Sequence, residues 1–90
     1  MIKGKITVVN QLGLHARAAA QVVKTAGRYG SSIVIIREDK AVYADAKSIL
    51  SLLTLAASKG VELTLEVEGD DEKEAYETIF ALFENGFGEM

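Results

Sequence analysis

The amino-acid sequence predicts an α+β fold in which helices cover one face of a single antiparallel sheet. Four segments alternate apolar and polar residues with the period of a half-buried strand. Three other segments repeat their apolar residues with helical period, and no linker, repeat or low-complexity segment interrupts them. In chain order the predicted elements are β-α-β-β-α-β-α. Strands with one apolar face need cover on that face only, which favours a sheet that stays open on its other side.

The predicted strands differ in how clearly the sequence marks them. The clearest is 61–68, "VELTLEVE", in which valine or leucine alternates with glutamate or threonine. Residues 2–9 alternate in a similar way. Residues 32–37 and 40–44 predict two short strands, which we expect to form a hairpin joined at 38–39.

The three predicted helices cover residues 16–29, 47–58 and 71–85. The first and third carry an apolar stripe with polar residues opposite, as helices packed on a sheet do. Asp71 and Glu74 have the spacing of a capping box, which predicts the start of the third helix.

Length and composition exclude several classes of protein. Residues 1–90 form a single domain, because two cores in 90 residues would each bury too little apolar surface. The chain has no cysteine, which excludes disulfides and thiolate-bound metal and fits a reducing cytoplasm. A net charge of −3 argues against a nucleic-acid partner. We find neither a membrane-spanning apolar run nor a signal peptide, so we expect no membrane insertion and a cytoplasmic location.

The only histidine, His15, lies in the stretch "NQLGLHARAAAQVV", just before the first predicted helix. If that helix begins at Ala16, the ring lies beside backbone N–H groups that have no intrahelical partner, and these groups form an anion site. Arg17 adds a planar cationic fork that suits phosphate. A neutral imidazole there could accept a phosphoryl group whose charge the same donors stabilise. The alternative is that His15 is an ordinary cap and that Gly13 serves only a turn with positive φ.

Other chemistries fit the sequence less well. One histidine without cysteine argues against a zinc site. No Gly-x-x-x-x-Gly-Lys motif is present, which argues against a nucleotide site. We therefore expect this chain to bind no metal and no cofactor.

Three segments of the chain resemble one known family. "GLHARAAA", "KSILSLLTL" and "EGDDEKEA" are similar to segments of HPr, the histidine-containing phosphocarrier of the bacterial phosphoenolpyruvate-dependent phosphotransferase system. The resemblance covers nearly the whole chain. It implies an open-faced β-sandwich whose four-stranded antiparallel sheet has the strand order 1-4-2-3, with three helices on one face.

The resemblance also implies a function and the residues that perform it. A carrier of this family accepts a phosphoryl group from phosphorylated Enzyme I and donates it to an Enzyme IIA domain. His15 matches the phosphorylated histidine, modified on Nδ1, and Arg17 matches the arginine that stabilises the phosphoryl group. The backbone N–H groups of Ala16 and Ala18 are the expected donors at the helix start. We expect a monomer that is no stand-alone enzyme, since its partners complete each transfer site.

Ser48 carries the first alternative function. It matches the serine that a dedicated HPr kinase/phosphorylase modifies in many bacteria, and a helix start favours a phosphoserine. The protein would then act mainly as a regulator, in catabolite control or a nitrogen-related branch, through a transcription regulator. The second alternative is an interaction module with an inert histidine. Serine is also common as a simple helix cap, without any modification.

The sequence departs from the family's usual pattern at three places. Ala18 stands where most members carry proline, so a backbone N–H is restored and a fixed φ is lost. Leu12 replaces a small polar residue, and Asn10 is expected to organise the loop instead. The stretch between His15 and Ser48 is slightly longer than usual, around "REDKAVYADA". We expect these departures to affect the efficiency of transfer.

The second predicted helix is apolar on almost every side, more than one sheet face can cover. We expect half of its apolar residues to face the core and half to form an exposed docking patch with a basic edge. The alternatives are that Tyr76, Phe80 and Phe87 cover the patch, and that the basic edge is only a solvated face. The core-facing residues are Leu52, Leu55 and Ala56; the docking patch is Ile49, Leu50 and Leu53; the basic edge is Arg17, Lys24 and Arg28.

Overall fold

The computed structural model describes residues 1–89 and contains the seven main elements in the predicted order. Two short 3₁₀ turns, Glu38–Lys40 and Gly86–Gly88, accompany them. Within residues 1–89, no helix is both long and apolar enough to cross a membrane. The strands are β1 (Ile2–Thr7), β2 (Ser32–Arg37), β3 (Val42–Asp45) and β4 (Glu62–Glu68), and the helices are α1 (Ala16–Ala26), α2 (Ile49–Leu53) and α3 (Glu72–Glu84).

The four strands form one antiparallel sheet in the order β1-β4-β2-β3, which confirms the expected fold class. β4 lies in the centre, where Leu65 pairs with Gly4 of β1 on one side and with Ile35 of β2 on the other. β4 therefore pairs with a strand on each side, and every second side chain of β4 points into the same core.

The core lies between the sheet and the helices. α3 packs against β1 and β4, while α1 packs against both α2 and α3. Alternate residues of the strands meet the apolar stripes of the helices, so removal of this apolar surface from water is the main stabilising contribution. The largest fully buried side chains of this core include Ile33, Ile35, Leu63, Leu65, Ile79 and Phe83.

Helix α1 is shorter than predicted and α2 much shorter. α1 ends at Ala26, where Gly27 follows as the C-cap. α2 has only five residues, because Ala56 adopts a left-handed φ of 47° and turns the chain away. Arg37 Nη1 then donates to the carbonyl oxygens of Leu55 and Ala56, at 3.0 and 2.9 Å. A side chain from β2 thus satisfies carbonyl groups at the end of this segment, in place of further helical turns.

The left-handed turn also changes which residues of this segment are buried. Leu52 and Leu55 face the core as predicted. The prediction for Ala56 is wrong: it is exposed, and Ala57 is buried instead. A helical period assigned through a five-residue helix fails at the point where the backbone leaves the helical conformation.

The predicted capping box at the start of α3 is wrong. Asp71 precedes α3 but makes no side-chain bond to its N–H groups. Its carboxylate instead accepts from the N–H groups of Gly30 and Ser31, both at 3.0 Å, and from the hydroxyl of Ser31. Asp71 therefore links the α3 start to the loop before β2, a role that spacing along the chain does not reveal.

The connection between β2 and β3 is longer than the predicted hairpin at 38–39. It is the 3₁₀ turn Glu38–Lys40 followed by Ala41, which has a φ of 54°. Glu38 extends over the outer face of the sheet, where its Oε2 accepts from Thr64 Oγ1 at 2.6 Å. This contact buries Thr64 on the face that the helices leave open.

Candidate functional site

His15 lies at the start of α1, as the sequence predicts, and is the N-cap of this helix. Its backbone is extended, with φ −83° and ψ −179°, and α1 begins at the next residue, Ala16. The side chain is 26% exposed, so part of the ring is accessible from solvent. The ring is therefore neither buried in the core nor detached from the helix start.

The loop before His15 is fixed by two structural contacts. Asn10 is fully buried, and its Nδ2 donates to the carbonyl of Gly13 at 2.8 Å, which confirms that Asn10 organises this loop. Gly13 has a φ of 69°, and a Cβ there would lie 2.6 Å from the carbonyl oxygen of Ala57. Leu14 N donates to that same oxygen at 2.8 Å. Gly13 is thus required both by its conformation and by this close approach.

The two ring nitrogens of His15 contact groups of opposite kind. Nδ1 lies 3.3 Å from the backbone N of Arg17, which donates to it. Nε2 lies 2.6 Å from Oε2 of Glu89, a carboxylate 74 residues away along the chain. Sequence reasoning missed Glu89, because nothing in its neighbourhood marks it as a partner of the histidine.

The segment after α3 brings Glu89 to this position. Gly86, Phe87 and Gly88 all have positive φ, which reverses the chain towards α1. Phe87 is buried against Phe83, with ring centroids 4.9 Å apart. Gln21 of α1 donates to the carbonyl of Phe87 at 3.2 Å. These contacts anchor the segment directly before Glu89.

Glu89 is held from both sides of its carboxylate. Asn10 Nδ2 donates to Oε1 at 2.9 Å, while the ring of His15 contacts Oε2. The hydrogen bond from Asn10, followed by that from His15 and the charges of His15 and Arg17, lowers the pKa of Glu89 below its usual range. The side chain is only 18% exposed. An ionised carboxylate therefore belongs to the site.

The other predicted residues at the helix start differ in their exposure to solvent. Ala16 and Arg17 are exposed, whereas Ala18 is fully buried. Within residues 1–89, the guanidinium of Arg17 makes no ion pair or hydrogen bond. Arg17 also lines an open recess together with Leu12, whose side chain is 69% exposed. The other lining residues of this recess are Gln11, Gly88 and Glu89.

The docking patch is exposed, as the sequence predicts. Ile49, Leu50 and Leu53 are 39%, 79% and 37% exposed, so α3 does not cover them. Phe87 is buried against Phe83 instead, and Tyr76 lies over Gly4 of β1. The basic edge is exposed as well: Lys24 and Arg28 lie on α1, or directly after it, with Arg17.

Ser48 is the N-cap of α2, directly before the first helical turn. Its Oγ accepts from the N–H of Ser51 at 3.2 Å, and the residue is half-buried. Ser48 directly precedes Ile49 and Leu50, so a group added to Ser48 would adjoin the docking patch.

Comparisons with known proteins agree with this fold. The family model "PTS HPr component phosphorylation site" matches residues 2–85. The phosphocarrier protein HPr of Cupriavidus necator is 44% identical over 89 residues, which cover 99% of this chain and 98% of that protein. A crystal structure of HPr-C-His from Thermoanaerobacter tengcongensis superposes with a TM-score of 0.92 at 40% identity, and covers 100% of this chain and 99% of that one.

A second structure from the same organism is similar as well. It is an HPr dimer, with a TM-score of 0.77 and 39% identity over 99% of this chain and 100% of that one. The family match spans almost all of the sequence, and the relatives match it along nearly their full length. Proteins of the HPr family pass phosphoryl groups from Enzyme I to Enzyme IIA domains. The chain therefore belongs to the HPr family and is a phosphocarrier of the phosphotransferase system.

Proposed function

We propose that His15 is the residue of this chain that carries the phosphoryl group, bonded at Nδ1. The observation that carries this proposal is the position of the ring at the start of α1. Nδ1 faces the N–H of Arg17, the side chain is partly exposed, and the N-terminus of the helix supplies positive potential. His15 is the only histidine in the chain, so no second imidazole competes for the role.

The start of α1 suits the charge that a phosphoryl group brings. Ala16 and Arg17 are exposed residues whose backbone N–H groups lie at the helix start. The guanidinium of Arg17, which pairs with no other side chain among residues 1–89, can contact two phosphoryl oxygens at once. Ala18 is fully buried, so its N–H is the most remote of the proposed donors from solvent. Arg17 thus offers both a backbone and a side-chain donor.

Phosphoryl transfer is an in-line displacement between two partners. The lone pair of His15 Nδ1 forms the N–P bond, while the bond from phosphorus to the donor group of Enzyme I breaks and leaves its electron pair on that group. The same displacement in the opposite sense passes the group to an Enzyme IIA domain. The chain needs only to present the ring and stabilise the product, because each partner completes the transfer site.

The test is phosphorylation of the chain by Enzyme I and phosphoenolpyruvate. We expect an acid-labile, alkali-stable phosphoryl adduct in the parent chain and none in His15→Ala. Because His15→Ala also removes a helix cap, His15→Asn is the matched variant: asparagine is a good cap but no phosphoryl acceptor. An adduct that persists in folded His15→Asn would contradict the proposal.

The docking patch is the proposed contact surface for Enzyme I and Enzyme IIA domains. Ile49, Leu50 and Leu53 remain exposed although their neighbour Leu52 is fully buried. α1, which carries Arg17 and Lys24, packs against α2, so basic and apolar residues occupy neighbouring surfaces. Partners with an apolar centre and an acidic rim would match this arrangement.

Ser48 is the proposed site of a second, regulatory phosphorylation. A phosphoryl group there would adjoin Ile49 and Leu50 and bring negative charge to the docking patch. An HPr kinase/phosphorylase with ATP should form an acid-stable adduct that Ser48→Ala abolishes and Ser51→Ala retains. A transcription regulator would be the partner that reads this form. If no adduct forms on Ser48, the regulatory role is contradicted and only the carrier role stands.

We further propose that residues 1–90 form a single HPr-like domain, which acts as a cytoplasmic monomer. In support, one sheet and one core include strands from residue 2 to residue 68. Sedimentation equilibrium should give a mass near 9.7 kDa across the concentration range. A mass twice as large would place this chain with the dimeric relative.

A further inference from the structure

We propose that Glu89 is a positioning residue for phosphoryl transfer, which sets the tautomer of His15 and so keeps the lone pair at Nδ1. The inference rests on the proposed role of His15. The contact that carries it joins Glu89 Oε2 and His15 Nε2 at 2.6 Å. It links the end of the described chain to the start of α1, across 74 residues.

The contacts at the two ring nitrogens select the same tautomer. Neutral imidazole has one N–H and one lone pair, and a carboxylate can only accept. Nε2 must therefore carry the hydrogen that Glu89 accepts. At the other nitrogen, the N–H of Arg17 is a donor and requires the lone pair at Nδ1. Both neighbours thus favour the Nε2–H form, in which Nδ1 is the nucleophile.

The surrounding contacts hold Glu89 in place. Asn10, fully buried, donates to its Oε1 at 2.9 Å and at the same time fixes the loop that leads to His15. Phe87 is buried in a left-handed conformation two residues earlier, and Gln21 bonds its carbonyl. The carboxylate is therefore aimed at Nε2 by three elements of the fold, and its side chain is mostly enclosed.

Glu89 would act on charge as well as on the tautomer. When Nδ1 forms the N–P bond, the ring becomes cationic and keeps the hydrogen on Nε2. The carboxylate then accepts from a charged donor, which strengthens the hydrogen bond as the reaction proceeds. No proton leaves the ring in this step, so the electron count matches the displacement described above.

The test compares the parent chain with Glu89→Gln by two measurements. Glutamine can donate as well as accept, so it no longer selects one tautomer. Nitrogen-15 NMR of the neutral ring should show Nε2 protonated in the parent. In Glu89→Gln only the N–H of Arg17 still selects a tautomer, so the share of the Nδ1–H form should rise. For acceptance from phosphorylated Enzyme I, we expect kcat to fall about tenfold with little change in KM, the loss typical of a hydrogen bond to a charged group.

Glu84→Gln is the matched control, because it removes one exposed glutamate from the end of α3 and leaves the His15 contacts intact. Equal shifts and rates in the parent and Glu89→Gln would overturn the proposal, as would a faster variant. If Glu89→Gln fails to fold, the spectrum of the parent is sufficient, since a dominant Nδ1–H form in the parent would contradict the role of Glu89. A parent that accepts no phosphoryl group at all would instead contradict the role of His15.

Discussion

His15 and Arg17 are two residues apart, and their relation is dictated by the helix that begins between them. A residue before the first helical turn meets free N–H groups whatever the rest of the chain does. This local rule places the ring beside the N–H of Arg17. The rule says nothing about the guanidinium, which the structure leaves exposed in the recess beside Leu12.

Variants of Arg17 should separate its backbone contribution from its side-chain contribution. Arg17→Ala and Arg17→Lys both keep the N–H that faces Nδ1. We expect Arg17→Ala to lower the rate of transfer about tenfold or more, the loss typical of a charge-assisted hydrogen bond. Arg17→Lys should recover part of the rate, because lysine keeps the charge and loses the planar fork. Rapid-quench phosphorylation by Enzyme I measures the transfer rate of both variants. A lower rate in Arg17→Lys than in Arg17→Ala would contradict this account.

The sequence predicts most of the residues of the site but not all of them. His15, Arg17 and the loop role of Asn10 follow from local pattern and from the resemblance. Glu89 does not, because its contact depends on three successive positive-φ residues that aim the chain back at α1. No periodicity marks such a reversal. Two glycines flanking a phenylalanine were the only available sign, and they predict a turn without its direction.

Among the elements, α2 is where sequence and structure differ most. Apolar residues with helical spacing continue past Leu53, but the helix does not. Arg37 from β2 bonds the carbonyl groups of Leu55 and Ala56, so tertiary contacts take the place of the missing turns. The four strands and α3 were better predicted, because their alternation or amphipathic period extends over most of each element.

Ala56→Gly should stabilise the protein. Ala56 has a φ of 47°, a conformation that is costly for an L-residue and easy for glycine. We expect the free energy of unfolding to rise by about 1 kcal/mol, measured by urea denaturation. Ala20→Gly is the control, since Ala20 is exposed within α1 and should lose about 1 kcal/mol. A loss of stability in both variants would show that Ala56 is unstrained.

The link between the α3 start and the loop before β2 should depend on pH. The hydroxyl of Ser31, then the N–H groups of Gly30 and Ser31, lower the pKa of Asp71 below its usual value of 3.8. The folded state therefore gains stability from ionised Asp71 above that value and loses it as the pH falls towards the lowered pKa. In thermal unfolding, the difference in midpoint temperature between the parent and Asp71→Asn should narrow over this acidic range. A gap independent of pH would contradict the prediction.

At the scale of the whole molecule, the helix face and the outer sheet face present different surfaces to solvent. The helices leave the docking patch and the basic edge accessible, while the outer sheet face carries ion pairs such as those of Lys5 with Glu38 and Glu62. The fold thus has one face suited to partners with an apolar centre and one face covered by paired charges.

Leu50→Ser should weaken docking without affecting the fold. Leu50 is the most exposed residue of the docking patch, at 79%, so its removal costs the core nothing. We expect KM for Enzyme I to rise by about tenfold, with a small change in kcat and none in unfolding. Tyr43→Ser is the matched control, because Tyr43 is an apolar residue of similar exposure, 68%, on β3 and is not part of the patch. Equal effects of the two variants on KM would argue against the patch.

The central place of β4 has a consequence for synthesis of the chain on the ribosome. β1 pairs only with β4, and β2 reaches β1 only through it. The first strand therefore has no native partner until residues 62–68 have emerged, so most of the chain must be translated before the sheet can assemble. Until then β1 lacks its only partner strand, so we expect the sheet to assemble late in synthesis.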